Sequence, residues 1–473
     1  MNLEEKSKRD GRFFMFMIPA FFLWLIGQYI FPMFPTDQLN VLIPYFAENY
    51  GWTPSMITDP CSYGRIFLIP VTLVLGNIII RLGPKRAFCI FVFFYGLCQV
   101  LVALSALNGA HWMMSAGMFM FPTLGVGTLM ATFSLIKNWF RGWRGTALGV
   151  VTAASPLSSA LSIQFLTAGW HGIGMMTTLL ICALVVVATG LVGFLIIKET
   201  PEQVGCFPDG LRVAPPPEIL LKDEYASKVR AQHVFRHKEA WCHLITFGIL
   251  LSSLTVYPAF FVTRFAQLGF TDADLLHFTL AFSILGALLS LISGVIDDRF
   301  GTRVSTMGLC ILFFIGTIGL RFGTPEQSWM IWIGIAALGG VIGAAPNLNP
   351  SMLLYTFGRK CFDPAFKYTY TVLNIFPAAA LWVTAKLLEV TGGFNLMYSV
   401  MIGFGALVIV LILIDKKHVD LTADVVHDEL KKNPELAATV SEEKNDPAAL
   451  QTDETESDAV IRLDEASALE EKK

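Results

Sequence analysis

Gly294-Val-Ile-Asp-Asp-Arg-Phe-Gly-Thr-Arg303 is a short polar knot wedged between two long apolar runs. A related stretch, Gly76-Asn-Ile-Ile-Ile-Arg-Leu-Gly-Pro-Lys85, lies 218 residues earlier (Gly76 against Gly294). The shared offset pairs Arg81 with Arg299, Gly83 with Gly301 and Lys85 with Arg303. It also pairs Gly51 with Gly269, Thr53 with Thr271, Gly125 with Gly343 and Arg141 with Arg359. One offset kept over about 90 residues makes the chain two related halves, and such a repeat sets the architecture before any local reading does.

The chain has 473 residues, of which 54% are hydrophobic and only 15% charged. Its mean hydropathy is +0.59. A soluble domain carries about 25% charged residues. Here apolar runs recur at the length of about 20 residues that crosses roughly 30 Å of hydrocarbon. The composition therefore describes an integral, polytopic membrane protein. The eight cysteines show no CxxC pair and no metal-ligand spacing, so neither a disulfide nor a metal site is expected. Met1 to Arg12 is too polar, and the following apolar run too long, for a cleaved signal peptide, so the first span is expected to be retained.

Twelve spans can be drawn. The first six are roughly 14–46, 56–80, 87–107, 112–136, 146–168 and 175–197. The second six are roughly 241–266, 273–296, 303–321, 328–355, 368–390 and 394–414. This is an all-α membrane fold of two pseudo-symmetric six-helix halves, 1–197 and 240–415. A polar linker containing Pro215-Pro-Pro217 covers 198–239, and an acidic tail covers 416–473. The tail from Asp420 is nearly free of aromatics and cannot bury enough apolar surface to order itself, so disorder is expected, with a transient helix near Ile461 to Glu471. Basic residues crowd one set of loops: Lys6 to Arg12, Arg81 to Arg86, Lys137 to Arg144, the linker, Arg299 and Arg303, Arg359 to Lys367, and Lys416 and Lys417. The opposite loops offer little beyond Arg264, Arg321 and Lys386. Lysine and arginine stay on the cytoplasmic side, which puts both termini and the linker there.

The pattern GxxxDRxGxR, read from Gly294 to Arg303, resembles the signature loop of the major facilitator superfamily. The resemblance covers nearly the whole chain and implies the major facilitator fold, secondary transport by alternating access, and gating loops. Those loops would hold Gly76, Arg81, Gly83, Gly294, Asp298, Arg299, Gly301, Arg303, Arg141 and Arg144. The first copy departs from the pattern by placing Ile80 where an acid is usual. Asn138 to Gly149 resembles the loop between spans 4 and 5 in the oxalate/formate antiporter and monocarboxylate transporter branch, as does Thr200-Pro-Glu-Gln-Val-Gly205 after span 6. Asp37-Gln-Leu-Asn40 with Pro44 is similar to a segment of anion:cation symporters, with Gln38 replacing their arginine. Oxalate antiporters place cations deep in spans 8 and 11, where this chain has Ser283, Ser290, Ser293 and Asn374.

Charges inside spans are functional candidates because burying them is costly. Arg65 lies well inside span 2, and its guanidinium can grip a carboxylate with a planar fork. The plainer reading is a structural ion pair with Asp37 or Asp59. Asp37 falls in the outer half of a span 1 broken by Pro32, Pro35 and Pro44. Broken helices are where transporters place binding groups, and a carboxylate in a low-dielectric site can carry a coupled proton. The plainer reading puts Asp37 in an outer loop. Lys386 and Glu389 read as a snorkelling pair on one helix. Gln28, Asn347, Asn374 and Tyr370 can line a cavity, although single polar residues more often make contacts between helices. The glycines at 125–127 and 339–343 follow no strand, so they read as packing positions and not as a nucleotide loop.

The expected function is transport of a small organic anion, a carboxylate foremost, with a proton as candidate co-substrate. Transport of a neutral solute, export of amphipathic compounds and a non-transporting sensor are the alternatives. No nucleophile–base constellation or metal motif argues for an enzyme, and no cofactor or nucleic acid is implied. The lipid bilayer is the expected surround and a monomer the expected state.

Overall fold

A computed structural model describes residues 11–211, 228–391, 393–414 and 418–432. Among these residues every regular element is a helix. Span 1 runs Gly11–Pro32, passes through a π-helical turn at Met33–Asp37 and continues as Leu39–Tyr50. Spans 2, 3 and 4 are Pro54–Leu82, Pro84–Asn108 and His111–Trp139. Span 5 is Arg144–Thr152 with Ala154–Ile173, and span 6 is Met175–Ile196. Spans 7, 8 and 9 are Lys238–Gln267, Asp272–Phe300 and Thr302–Phe322. One long helix, Ser328–Leu373, is broken at Gly358 (φ 71, ψ 171), which separates span 10 from the start of span 11. Span 11 continues as Ile375–Thr391, and span 12 is Asn395–Ile414. Twelve spans result, as the apolar runs predict.

The sequence repeat is also a backbone repeat. Gly83 has φ 83 and ψ 150, and Gly301 has φ 92 and ψ 152. Each joins two spans in a conformation that essentially only glycine adopts. Gly51 and Gly269 likewise close spans 1 and 7 at φ 68 and φ 85. Each half buries its own apolar core, one built on Trp24, Phe34, Tyr95 and Phe121, the other on Tyr257, Phe313, Leu338 and Leu348.

Two expectations need correction, the start of span 11 and the disorder of the whole tail. Span 11 begins immediately after Gly358 and not at 368, so Lys367 is a helical residue only 7% exposed instead of a loop cation. The basic run from Arg359 to Lys367 suggested a loop, but the helix resumes after Gly358 and carries Pro364 inside it. The linker is partly ordered, with tight turns at Pro201–Val204 and Pro208–Gly210 and a short helix at Ala231–Phe235. The start of the acidic tail is also folded, as a helix over Leu421–Lys432. Asp420 caps it by accepting from the Thr422 amide at 2.9 Å. Leu421 and Val425, one turn apart, are buried, and Val419 donates its N–H to the Thr356 carbonyl at the end of span 10 (2.8 Å). Asp424 and Asp428 face the linker's His237 (2.5 Å) and His233 (3.1 Å). These anchors supply the ordering energy that composition alone lacks. Pro215–Pro217, the first ten residues and the tail beyond 432 lie outside the described residues.

A Cβ at Gly301 would meet nothing within 4 Å, so alanine there tests the backbone conformation alone. Gly301→Ala should cost about 1–3 kcal/mol. Gly308→Ala, equally uncrowded and with no positive φ, should stay within about 0.5 kcal/mol of the parent. Thermal unfolding in detergent reads both, and equal midpoints would refute the assigned turn.

Candidate functional site

The two halves meet along a seam at the end that carries the basic loops. On one side span 8 lies against span 5 with almost no side chain between them. A Cβ at Gly294 would sit 2.3 Å from the Gly145 carbonyl oxygen, and one at Gly149 would sit 2.6 Å from the Ser290 carbonyl oxygen. Small residues permit this approach of backbones in lipid, where apolar burial between helices gives little drive. Asp298 then accepts the Gly145 N–H at 2.7 Å and the Thr146 N–H at 2.6 Å. Those amides open span 5 and have no partner within their own helix, so the carboxylate satisfies them and complements the helix dipole. Ser290 Oγ donates to the Gly149 carbonyl at 2.9 Å and lies 3.0 Å from Thr152 Oγ1.

The pseudo-equivalent contact joins span 2 to span 11. The 218-residue offset relates Gly145 to Asp363 and Gly149 to Lys367. Gly76 takes the place of Gly294, and a Cβ on it would lie 2.4 Å from Lys367 Cγ. Lys367 Nζ donates to Asn77 Oδ1 at 2.9 Å. Lys137, in the last turn of span 4, pairs with Asp363 at 2.5 Å, and Ser134 Oγ donates to the other oxygen at 2.7 Å. Arg359 donates to the Lys137 carbonyl. Where Ile80 leaves no acid to cap a helix, an ion pair between halves closes the seam instead.

The expected loop residues divide accordingly. Gly76, Gly294 and Asp298 are in the seam, and Arg144 reaches across it to Thr302 Oγ1 at 3.5 Å. Gly83 and Gly301 form the turns. Arg303 caps the end of span 12, donating to the Ile412 and Leu413 carbonyls at 3.0–3.2 Å. Arg81, Arg299 and Arg141 are exposed, and the Arg141 and Gly142 amides donate to Asp209 of the linker.

A second polar cluster lies farther along the spans, inside the N-terminal half. The π turn of span 1 follows Pro32 and contains Pro35, which has no N–H to donate, and it turns Asp37 towards span 5. Asp37 is 7% exposed and accepts from Ser158 Oγ at 3.0 Å and Ser159 Oγ at 3.1 Å. Ser158 continues to Ser162 (2.9 Å), which donates to the Tyr29 hydroxyl (3.2 Å). Beside it Gln99 donates to Gln38 Oε1 at 3.0 Å. Arg65 is half-buried on span 2, one turn from the Cys61 thiol, and the charges of Arg65 and Asp37 both act on Tyr95. Among the described residues no ion pair joins them, because the side-chain partners of Asp37 are the two serines. Hydroxyls donate to a carboxylate and can turn to accept from a carboxylic acid, so this cluster accommodates either form.

The remaining expected site residues lie elsewhere. Asn347 bonds span 8 at the Ser290 carbonyl (3.0 Å) and Ser293 Oγ (3.1 Å). Asn374 sits at the break in span 11, donating to the Tyr370 carbonyl (2.9 Å) and to Thr72 Oγ1 of span 2 (3.3 Å). The Tyr370 ring rests 5.0 Å from Phe366 and packs against both cores. Gln28 is buried with its side-chain amide nitrogen unpartnered, while its main-chain carbonyl accepts from Ser155 Oγ. Lys386 and Glu389 form an exposed pair at 2.6 Å. Ser158, Ser159 and Asp363 went unnoticed in the sequence, and Lys367 was read as a loop cation; the only signal for the serines was their i, i+1, i+4 spacing with Ser162 in an apolar span.

The family model described as Major Facilitator Superfamily matches residues 13–360. Among solved structures, the chain is similar to FucP, a transporter crystallised in the outward conformation. The identity is 13%, the TM-score 0.58, and the match covers 85% of this chain and 99% of that one. It is also similar to the human organic anion transporter MFSD10 (TETRAN), with 12% identity, a TM-score of 0.60, and 85% and 100% covered. No curated protein matches the chain in sequence.

Removing one partner of the Lys137–Asp363 pair leaves a largely buried charge, a loss of roughly 3 kcal/mol. Asp363→Ala should therefore open the basic end. A cysteine placed at Ile79, 3% exposed beside the seam, should gain reactivity towards an impermeant maleimide several-fold. The double variant with Lys137→Ala should recover much of the protection. Unchanged labelling in the single variant would mean that the pair does not hold the seam.

Proposed function

We propose that this chain, which belongs to the Major Facilitator Superfamily and so is a multi-pass membrane transporter and not an enzyme, moves a small organic anion. One observation carries the choice of cargo. Arg65 is a half-buried guanidinium within a membrane span, and among the described residues no carboxylate pairs with it. A fixed cation of that kind is costly in an apolar medium unless an anion visits it. A carboxylate cargo supplies the partner and receives two parallel N–H donors.

In this reading the basic end is cytoplasmic. The closed seam then gives a protein sealed towards the cytoplasm, with Arg65 and Asp37 on the outer side of the seal. Arg65 precedes Gly76 by eleven residues of span 2, a distance of about 16 Å along the helix. Asp37 binds the coupled proton within the serine cluster, which neutralises the site's second charge while Arg65 holds the anion. Rocking of the halves then exposes both to the cytoplasm. One structural neighbour is an organic anion transporter. At 12% identity that likeness concerns the fold, so the weight stays on Arg65.

Uptake of a labelled organic-acid panel into proteoliposomes tests the reading. At least one carboxylate should accumulate when the outside is made more acidic, and Arg65→Ala should reduce its uptake at least tenfold. Asp37→Asn should abolish accumulation by the proton gradient while leaving exchange of preloaded cargo. If no acid moves under any gradient or in exchange, the anion reading fails and neutral or amphipathic cargo takes its place.

A further inference from the structure

Of the cations at the end opposite the basic loops, Lys386 pairs with Glu389, while Arg264 and Arg321 take part in no contact described above. Arg264 stands in the last turn of span 7 and Arg321 in the last turn of span 9. Span 9 starts at the Gly301 turn, so Arg321 lies about 28 Å from that end along the helix. Both side chains are half-buried, and the Nε of each is buried with no hydrogen-bond partner. Among the described residues no carboxylate pairs with either guanidinium. Instead, the charges of the two arginines act on each other.

Rings from the start of span 12 line this place. Arg264 Cζ lies 5.9 Å from the centre of the Phe394 ring and 5.8 Å from that of Tyr398, and both rings are buried. Tyr398 stacks on Tyr257 of span 7 at 6.1 Å, and the Tyr257 hydroxyl meets Thr317 Oγ1 of span 9 at 2.8 Å. Thr317 precedes Arg321 by one helical turn. Spans 7, 9 and 12 are thus tied together where the two arginines converge.

Each arginine alone has a plain explanation, because the helix dipole favours a cation at a C-terminus. The pair does not. Like charges repel, and more strongly where protein and lipid displace water. A snorkelling arginine would turn its head to water and not lie over buried rings. Aromatic faces stabilise a guanidinium without using its N–H groups. Those groups stay available for an oxyanion, which a guanidinium grips through two parallel bonds.

We infer that Arg264 and Arg321 form an oxyanion site in the C-terminal half, at the end opposite the basic loops and separate from Arg65. Its ligand carries a carboxylate or phosphate group, and binding relieves the repulsion between the two guanidiniums. Arg264 makes the forked contact over the rings, and Arg321 adds the second charge. Two sources present such a group at this end, the headgroup of an anionic lipid and a free anion in solution. The site does not depend on the cargo assigned to Arg65.

The test is thermal unfolding of delipidated full-length protein in a neutral detergent. Phosphatidylglycerol, inorganic phosphate and acetate are added separately, with phosphatidylcholine and chloride at matched ionic strength as controls. At least one of the three anions should raise the midpoint saturably by several degrees beyond its control. A rise with phosphatidylglycerol alone marks a lipid headgroup as the source, and a rise with phosphate or acetate marks a free anion. The rise should persist in Arg65→Ala and vanish when Arg264→Gln and Arg321→Gln are combined. Arg264→Lys keeps the charge but loses the fork, and its apparent affinity should fall at least fivefold. No saturable rise with any anion overturns the site, as does an equal rise in the parent and the double variant, or a rise lost in Arg65→Ala alone. If the double variant does not fold, an unchanged affinity in Arg264→Lys overturns it.

Discussion

The backbone contact between spans 5 and 8 is the constraint on which the arrangement of the halves depends. Lipid gives two apolar helices little reason to prefer each other to acyl chains, so association rests on close packing and on polar groups. Gly145, Gly149 and Gly294 supply the first and Asp298 the second. The carboxylate matters because it meets two amides that the helix itself leaves without partners. That contact holds the basic end together and leaves the Asp37 cluster beyond it in the N-terminal half. All hydrogen bonds between the halves among the described residues fall on the basic side of the spans, with Asn374–Thr72 the farthest from the loops.

Pseudo-symmetry duplicates the contact without duplicating its chemistry. In one copy an acid of a turn caps the opposing helix; in the other the turn offers Ile80, and Asp363 of the opposing helix meets Lys137. A cap depends on the direction of fixed amides and weakens once the helix end shifts by a fraction of its radius. Lysine brings a flexible four-carbon stem and a compact charge, which follows its partner through a larger displacement. The side joining spans 2 and 11 is therefore the more compliant one, and the side joining spans 5 and 8 carries the directional lock.

Much of the architecture was legible in the residues. The repeat gave two halves, the apolar runs gave twelve spans, and Gly83 and Gly301 could be placed at turns because only glycine suits them. The signature pattern marked Asp298 as a gating-loop residue, and its partners, the first amides of span 5, are visible only in the folded chain. The partners of Asp37 were not legible, since Ser158 and Ser159 come from a span more than a hundred residues away and have ordinary local context. Lys367 was misplaced because a basic segment reads as a loop until Asn77 is seen to receive its charge and Asp363 that of Lys137. The tail helix was hidden for a related reason: its two apolar anchors matter only once the linker and the end of span 10 stand opposite them.

The π turn in span 1 has a consequence for how this site can vary. Such a turn holds one residue more than the α-helix on either side requires, and one residue corresponds to about 100° of rotation. Deleting it would leave Gly11–Pro32 in place while swinging everything from Asp37 to Tyr50 around the helix axis. A different set of side chains would then face Ser158 and Ser159, with no substitution at any of those positions. Insertion or loss of a single codon at this point is thus a route by which otherwise similar chains acquire different chemistry at one pocket, and comparison by residue identity alone would overlook it.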